Sequence, residues 1–414
     1  MSYLSHLECF RCGRQYPPGR LFQGCPACAP DRPANVFCVY DYGRLAGVFG
    51  PGKLDGRPAT MWRYRELLPV GDGPVVSLEE GMTPLVHCPR LGARYGLRRL
   101  YVKDESRNPT WSFKDRMAAV AATKARELGS TVLTIGSTGN AGAATAAYAA
   151  RAGLRAVILT TPNVPAAMRP FMQAYGATVV AVPTFPDRWL LVREGVERHG
   201  WFPVQNFVTP PVGANPYALD GAKTVGFELC EQLGWRAPDV VVAPVSYGDL
   251  PVGAWRGFVE FRRLGLIDRV PRMMAAEVFG PVGNALARGL DHTEAMPGGR
   301  SVATSAAATN STYQSLRMVR DTGGAAGTAT DDEIMAAQLE LAEAEGIWAE
   351  PAAALPLAVT RTLAAQGLVG ADEVVVAVVT STGLKDPEAT AARLPAIPLI
   401  EPTFAALQRV LDGP

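Results

Sequence analysis

Short apolar runs recur along the chain, and each is followed by a polar loop and a segment with helical spacing. Residues 240–243 and 374–379 are continuous apolar runs rich in valine, which is typical of strands buried on both faces of a parallel sheet. Further strands are predicted at 131–135, 156–160, 178–182 and 272–278. Helices are predicted from about 115 to 128 and in the alanine-rich stretch that ends at Arg151. Regular alternation of strand and helix predicts an α/β fold whose parallel sheets carry helices on both faces.

The composition is that of a globular protein with more than one domain. A length of 414 residues suits two or three domains, and 48% of the residues are hydrophobic. The net charge is +1, so no global field favours nucleic acid or an anionic membrane surface. We find neither an apolar run of membrane-spanning length nor a basic segment followed by an apolar core at the N-terminus. A cytoplasmic location without a membrane partner is therefore expected.

Four of the seven cysteines lie near the N-terminus in two Cys-x-x-Cys pairs, Cys9 with Cys12 and Cys25 with Cys28. In a reducing compartment this spacing favours a metal site, because each pair can place two thiolates on one tetrahedral ion. Disulfides are the alternative. Four cysteine ligands would close the coordination shell, so we expect a structural Zn²⁺ in a zinc-ribbon-like segment, residues 1–35, and no catalytic metal.

Three polar loops follow predicted strands and are candidates for a binding site. Residues 136–142 are a run of Gly, Ser, Thr, Asn and Ala that opens a helix, so their N–H groups and hydroxyls predict an anion site. Residues 244–250 and 380–386 are the other two loops. Ordinary helix capping explains part of each loop. In parallel α/β folds, however, binding sites form where such loops meet at the carboxyl ends of the strands.

Lys114 lies between Phe113 and the pair Asp115 and Arg116, at the start of a predicted helix. An apolar neighbour and a nearby cation both favour a neutral amine, which can attack an aldehyde to form a Schiff base. The alternative is a solvated lysine on an exposed first turn, and this segment alone favours it. No nucleotide-binding motif is present, and the four histidines lack the spacing of a metal site or a catalytic triad.

Five motifs, in the same order, resemble those of the fold-type II pyridoxal-phosphate enzymes (tryptophan synthase β-like), and among them the threonine synthase family. Residues 80–85 read Glu-Gly-Met-Thr-Pro-Leu. Residues 108–116 read Asn-Pro-Thr-Trp-Ser-Phe-Lys-Asp-Arg, where the family's lysine carries the cofactor. The remaining motifs lie at 137–153, 346–352 and 380–387.

The resemblance implies an architecture of two αβα domains with parallel sheets. The large, cofactor-binding domain would comprise residues 36–125 and 217–395, and the small domain, residues 126–216, would be inserted in it. Residues 396–414 would form a C-terminal tail. A homodimer is a further expectation from the family.

The resemblance also implies roles for individual residues. Lys114 would hold pyridoxal 5'-phosphate as a Schiff base and then act as acid and base. Asn140 would hydrogen-bond the ring hydroxyl, Thr380 would face the ring nitrogen, and Phe113 would pack near the ring. The cofactor phosphate would be bound by the backbone N–H groups of Ser246, Tyr247, Gly248, Asp249 and Leu250. The substrate would be bound by Trp111 and by the loop residues Ser137, Thr138, Gly139, Asn140 and Ala141.

The chain departs from the family pattern where the substrate phosphate of O-phosphohomoserine binds. Family members typically read Asn-Ser-Val-Asn-Pro-x-Arg, but Val212, Gly213 and Ala218 replace that Asn, Ser and Arg. An arginine fork is the usual partner of a phosphate dianion. Each lost charged hydrogen bond costs about 1.5–3 kcal/mol. Trp111 also stands where the family has glycine.

We therefore expect a carbon–oxygen lyase or synthase that removes the α-proton of an amino acid and then eliminates or replaces a group at Cβ or Cγ. The expected substrate is not O-phosphohomoserine, and Arg169, Arg188 and Arg317 are candidates for replacement contacts. A serine/threonine dehydratase or a β-replacing synthase, similar to cysteate or cysteine synthase, is the alternative. A non-catalytic interaction protein that binds pyridoxal phosphate or zinc is a more remote one.

Overall fold

The computed structural model describes residues 2–412. The strands are β1 (Leu4–Cys9), β2 (Gln15–Tyr16), β3 (Val36–Tyr40), β4 (Leu85–His87), β5 (Arg99–Asp104), β6 (Val132–Gly136), β7 (Arg155–Thr160), β8 (Thr178–Ala181), β9 (Phe202–Pro203), β10 (Val240–Pro244), β11 (Arg272–Glu277), β12 (Ala326–Thr328) and β13 (Val374–Val379).

The α-helices are α1 (Tyr42–Leu45), α2 (Pro89–Tyr95), α3 (Lys114–Glu127), α4 (Asn140–Ala152), α5 (Met168–Gln173), α6 (Phe185–His199), α7 (Pro216–Ala222), α8 (Thr224–Gln232), α9 (Asp249–Arg263), α10 (Pro281–Ala287), α11 (Tyr313–Asp321), α12 (Asp331–Glu345), α13 (Pro351–Ala365), α14 (Pro387–Ala391) and α15 (Phe404–Leu411). Short 3₁₀ helices span Pro51–Lys53, Met61–Leu67, Glu105–Arg107, Thr304–Ala306 and Gly383–Lys385.

The strands form three sheets. The large sheet has the order β12-β11-β10-β13-β5-β4, and all of its strand pairs are parallel except β4 with β5. The small sheet, β8-β7-β6-β9, is parallel throughout. The predicted α/β class with parallel sheets is confirmed.

The N-terminal strands form a separate antiparallel sheet in the order β2-β1-β3. In it Leu7 of β1 pairs with Cys38 of β3, and all of β3 is buried. The predicted end of this segment at residue 35 therefore falls before the sheet's third strand. The apolar run at 36–40 did carry a strand signal, but the proline- and glycine-rich residues around it suggested a connector without regular structure.

The central strands of the large sheet are buried on both faces, as their continuous apolar runs predicted. In β10, Val241 belongs to the same core cluster as Phe258 of α9. Its neighbour Val242 belongs to the cluster that contains Leu355 and Val359 of α13. Successive side chains of a strand point to opposite faces, so helices cover both sides of this sheet. The loops gather at the carboxyl ends of its strands, which the helices do not cover.

The start of α3 is held by a buried ion cluster. Arg116 donates from Nε and Nη2 to the two carboxylate oxygens of Glu105, at 2.6 and 2.7 Å, and also to Glu228 at 2.8 Å. Lys103 Nζ donates to Glu228 at 2.7 Å, and all four side chains are fully buried. Burial alone would raise the pKa of Glu228, but Arg116 and Lys103 lower it to about 2. The cluster joins β5, α3 and α8.

Replacing Arg116 by methionine leaves Glu105 and Glu228 buried without their main partner. We expect Arg116→Met to lower the free energy of unfolding by about 3–5 kcal/mol, measured by urea unfolding with circular dichroism. Arg98→Met is the matched control, because the Arg98–Asp372 pair has side chains that are 66% and 78% exposed. That control is expected to lose less than about 1 kcal/mol. Equal losses in the two variants would contradict a structural role for the cluster.

Candidate active site

A cavity of about 290 Å³ lies where the carboxyl ends of the two parallel sheets meet. Loops after β6, β10 and β13 line it, as the positions of the three polar loops predicted. The predicted site residues in its lining are Phe113, Lys114, Ser137, Thr138, Gly139, Asn140, Ala141, Ser246, Tyr247, Gly248, Asp249, Leu250 and Thr380. The structure thus brings together every predicted cofactor-binding residue.

Lys114 is the first residue of α3, and the segment before it is joined to the loop after β13. Phe113 N donates to Thr380 O at 3.1 Å, and Ser381 Oγ donates to Trp111 O at 2.9 Å. The amine lies 4.4 Å from the centre of the Phe113 ring. Burial lowers the pKa of Lys114 to about 8, against the opposing charges of Asp249 and Glu350. The alternative of a solvated lysine on an exposed turn is wrong.

The expected contribution of Arg116 to this pKa is not present. Its guanidinium is turned into the ion cluster with Glu105 and Glu228, so burial is the main cause of the lowered lysine pKa. Asp115 is also turned away from the amine. Its carboxylate accepts from Thr110 N and Oγ1, at 3.1 and 2.9 Å, which closes the turn before the helix.

The Asn140 amide is oriented by two residues that the sequence motifs contain but that were not assigned to the site. Asn140 Nδ2 donates to Glu350 Oε1 at 2.9 Å, and Lys385 Nζ donates to Asn140 Oδ1 at 2.7 Å. Burial raises the pKa of Glu350 and lowers that of Lys385 to about 8. The available signal was a carboxylate directly before the proline that begins α13, and a lysine five residues after Thr380.

Residues 246–250 form a tight loop that leads into α9. Ser246 O and Tyr247 O accept from Ser311 Oγ and Thr312 Oγ1, at 2.8 and 2.9 Å. Gly248 has a φ of +77°, and a Cβ there would lie 1.9 Å from the hydroxyl of Ser315. The first N–H groups of a helix have no intrahelical acceptor, so those of α9 are suited to an oxyanion. Glycine at this position therefore lets the loop pack closely against Ser315 of α11.

Asp249 does not present its carboxylate to this loop. Its Oδ1 accepts from Ala214 N at 2.8 Å, and a Cβ at Gly213 would lie 2.6 Å from the same oxygen. Burial raises the pKa of Asp249, and Lys114 lowers it. The side chain therefore fills the space beside residue 213.

Trp111 is the one predicted substrate-binding residue that does not line the cavity. Its side chain is on the rim, 48% exposed, with its ring 5.3 Å from that of Phe171. Its φ is +60°, in the left-handed region that favours glycine. A glycine would adopt this backbone angle without strain, and the tryptophan ring is directed toward Phe171 of α5.

Among the three arginines considered as replacement contacts, only Arg188 lines the cavity. Its side chain is buried, with the guanidinium 3.7 Å from the centre of the Phe185 ring. Arg169 is exposed. Arg317 pairs with Asp321 on α11 and donates to Phe10 O, outside the cavity.

The four N-terminal cysteines form one cluster, with all their sulfur atoms within 4.8 Å of one another. Cys9 Sγ is 3.6 Å from Cys28 Sγ, and Cys12 Sγ is 3.7 Å from Cys25 Sγ. Thiolates on a tetrahedral ion with bonds of about 2.3 Å stand about 3.8 Å apart. The donor set and its spacing therefore fit Zn²⁺, whereas a disulfide requires about 2.05 Å.

Comparison with known proteins identifies the family of this chain. A family model described as "Pyridoxal-phosphate dependent enzyme" matches residues 76–381. A threonine synthase of Methanocaldococcus jannaschii is 36% identical over 413 residues, covering 98% of each chain. One from Methanosarcina acetivorans is 36% identical over 390 residues, covering 92% of this chain and 93% of that protein. The chain belongs to the threonine synthase family. Its expected place among the fold-type II pyridoxal-phosphate enzymes is thereby confirmed.

Solved structures of more distant enzymes share the fold of this threonine synthase family member. Threonine deaminase isoform 2 from Solanum lycopersicum superposes with a TM-score of 0.62 at 20% identity, covering 75% of this chain and 84% of that one. Maize serine racemase has a TM-score of 0.62 at 22% identity, covering 75% and 93%. None of the helices within residues 2–412 has the length and apolar character that a membrane crossing requires.

The close packing at Gly248 predicts that a larger residue there weakens cofactor binding. We expect Gly248→Ala to weaken pyridoxal-phosphate binding to the apo-enzyme by at least about tenfold, because the displaced loop loses charged hydrogen bonds. Absorbance titration measures this affinity. Gly200→Ala is the control, since Gly200 has a φ of +68° with nothing within 4 Å of an added Cβ. Equal affinities in the two variants would rule out a phosphate-binding role for the loop.

Proposed function

We propose that this chain is a pyridoxal-phosphate-dependent carbon–oxygen lyase or synthase that acts on an amino acid by α-proton abstraction, followed by elimination or replacement at Cβ or Cγ. The observation that carries the proposal is Lys114, a cleft amine with a pKa of about 8. Around it lie an asparagine amide, a threonine hydroxyl and a glycine loop. This donor set fits the aldehyde, ring hydroxyl, ring nitrogen and phosphate of the cofactor.

Lys114 transfers the proton, and Asn140 and Thr380 hold the cofactor. Pyridoxal phosphate, when bound, withdraws electrons from the α-carbon of an attached amino acid. Lys114 Nζ removes and returns the α-proton, and its lowered pKa leaves a large neutral fraction near pH 8. Asn140 is held in one orientation by Glu350 and Lys385, and its amide would hydrogen-bond the ring hydroxyl of the bound cofactor. Thr380 would offer a hydroxyl to the ring nitrogen, and a hydroxyl, unlike a carboxylate, would not enforce protonation there.

The substrate is proposed to be different from O-phosphohomoserine. Val212 and Ala218 are buried apolar side chains where the family has polar phosphate ligands. At Gly213 the neighbouring space holds the carboxylate of Asp249. A carboxylate next to a bound phosphate dianion is repulsive, and more so in a partly buried site. None of these three residues lines the cavity, whereas Asp249 does, and its carboxylate lies where a side chain at position 213 would begin.

A serine/threonine dehydratase is the second candidate. The same loss of phosphate ligands suits an amino acid whose side chain carries an unmodified hydroxyl group. A β-replacing synthase is compatible with the same cofactor residues. The homodimer and the cytoplasmic location stay predictions from the family and from the sequence.

For the N-terminal segment, residues 2–40, we propose a structural zinc ion held by Cys9, Cys12, Cys25 and Cys28. Sulfur spacings of 3.6 and 3.7 Å support this proposal. Arg11 N and Cys12 N also donate to Cys9 Sγ, at 3.3 and 3.4 Å, in the manner of backbone groups that surround a thiolate ligand. The ion would tie the turn after β1 to the segment before β3.

The catalytic proposal is tested with purified holoenzyme. We expect a visible absorption band that borohydride removes, and Lys114→Ala to lose both the band and all turnover. Lys124→Ala is the matched control on the same helix, because Lys124 pairs with Glu127 at 2.9 Å and does not line the cavity. A Lys114→Ala protein that keeps band and activity would refute the assignment. Threonine formed from O-phosphohomoserine at rates of about 1 s⁻¹ or more would refute the substrate proposal alone.

The zinc proposal predicts one zinc ion per chain by mass spectrometry of the metal. Cys12→Ser is expected to release most of the metal and to lower the melting temperature, because a structural site contributes to folding. Cys88→Ala, a buried thiol outside the cluster, is expected to keep the metal. If the four thiols of the wild-type cluster are instead lost to disulfides under non-reducing conditions, the proposal is wrong.

A further inference from the structure

Arg188 is a buried cation for which the cavity provides no acidic partner. Its residue is 1% exposed, and Nε donates to Phe185 O at 3.3 Å. Within residues 2–412, no carboxylate lies within ion-pair distance of its guanidinium. Burial lowers the pKa of Arg188 to about 10, with Tyr247 opposing. An arginine remains charged at neutral pH, so this positive charge is uncompensated inside the protein.

Local structure holds Arg188 in the cavity wall. Thr184 caps α6 by a reciprocal hydrogen-bond pair with Asp187, which fixes the first turn of the helix. Gly136, at the end of β6, lets that turn pack closely, because a Cβ there would lie 3.2 Å from Arg188 Cβ. The guanidinium stacks on Phe185 at 3.7 Å. This packing orients the planar donor group before any ligand arrives.

The other cations of the cavity have partners. The charge of Lys114 is opposed by Asp249 and Glu350. Lys385 donates to Asn140 and is opposed by Glu350. The wall formed by residues 302–308 contributes only uncharged side chains to the lining: Val302, Thr304, Ser305, Ala306, Ala307 and Ala308. Among the described residues, Arg188 is thus the cation of this lining that has no charged partner in the protein.

We propose that Arg188 binds an oxyanion at the distal end of the substrate's side chain, on the group that leaves or is replaced. The assignment rests on the proposed function, because it takes the cavity as the substrate site. An arginine presents several N–H donors in a fixed fork that matches carboxylate and phosphoryl oxygens. The substrate class is then an amino acid with an acidic group beyond Cβ or Cγ. Serine and threonine lack such a group.

Three probes share one skeleton and differ in the charge of the distal group: O-acetyl-L-homoserine, O-succinyl-L-homoserine and O-phospho-L-homoserine. Apparent dissociation constants are measured from the change in the visible absorption of the holoenzyme. We expect at least one anionic probe to bind at least about tenfold more tightly than the neutral acetyl compound. The two anionic probes distinguish a carboxylate from a phosphoryl group.

Arg188→Gln is expected to abolish this preference and to leave binding of the acetyl compound within about twofold of wild type, while Arg188→Lys retains part of the preference. Arg198→Gln is the matched control, because Arg198 lies on the same helix and pairs with Glu194 on the surface. The affinity for pyridoxal phosphate is measured on each variant. Should Arg188→Gln fail to fold, Arg188→Lys tests the assignment instead, because its preference is expected to be smaller than that of the wild type.

Several results would overturn the assignment. One is equal binding of neutral and anionic probes by the wild type. A second is an anion preference that survives in Arg188→Gln. A third is a loss of pyridoxal-phosphate affinity with the preference intact, which would place Arg188 on the cofactor phosphate. Failure of the proposed function has a different signature, since none of the three probes would then change the spectrum. A strong, Arg188-dependent preference for the phospho compound would support Arg188 and refute only the proposed exclusion of O-phosphohomoserine.

Discussion

The position of Lys114 depends on the buried ion pairs that Arg116 forms with Glu105 and Glu228. Arg116 lies in the first turn of α3, two residues after the lysine, and its guanidinium joins that turn to the end of β5 and to α8. Buried ions of this kind do not greatly stabilise a fold, but an incomplete set is strongly destabilising. Their mutual dependence gives the helix one acceptable register against the sheet. The lysine can therefore be delivered to a defined point of the cavity.

Much of the fold followed from patterns that are local in the chain. Continuous apolar runs such as 374–379 predicted buried parallel strands, because a strand covered on both faces has no polar positions to alternate. The three loops after strands were predicted to meet, since parallel strands end at one edge. The third strand of the N-terminal sheet was missed because its pairing with β1 depends on contacts between distant residues.

Other features depend on where side chains point in the folded structure, which the sequence does not specify. The sequence contained Asp249 in the presumed phosphate loop, but only the structure shows its carboxylate turned toward Ala214. Glu350 and Lys385 were visible as motif residues, yet their common contact with Asn140 joins segments more than 200 residues apart. Arg188 could be considered but not located. Local motifs therefore predicted which residue types line the cavity, but only the tertiary structure shows how their charges are arranged.

Trp111 limits which substitutions are tolerated at the rim of the cavity. Its left-handed backbone angle is unfavourable for a bulky residue, by about 1–2 kcal/mol. Its tilted ring contact with Phe171 returns about 0.5–1.5 kcal/mol. The two positions, one just before α3 and the other in α5, are therefore energetically coupled. A change from tryptophan to glycine relieves the backbone but removes a contact between them, whereas loss of Phe171 leaves the strain uncompensated. The free-energy effects of the two substitutions are therefore not additive. With glycine at 111, an aromatic residue at 171 no longer offsets any backbone strain.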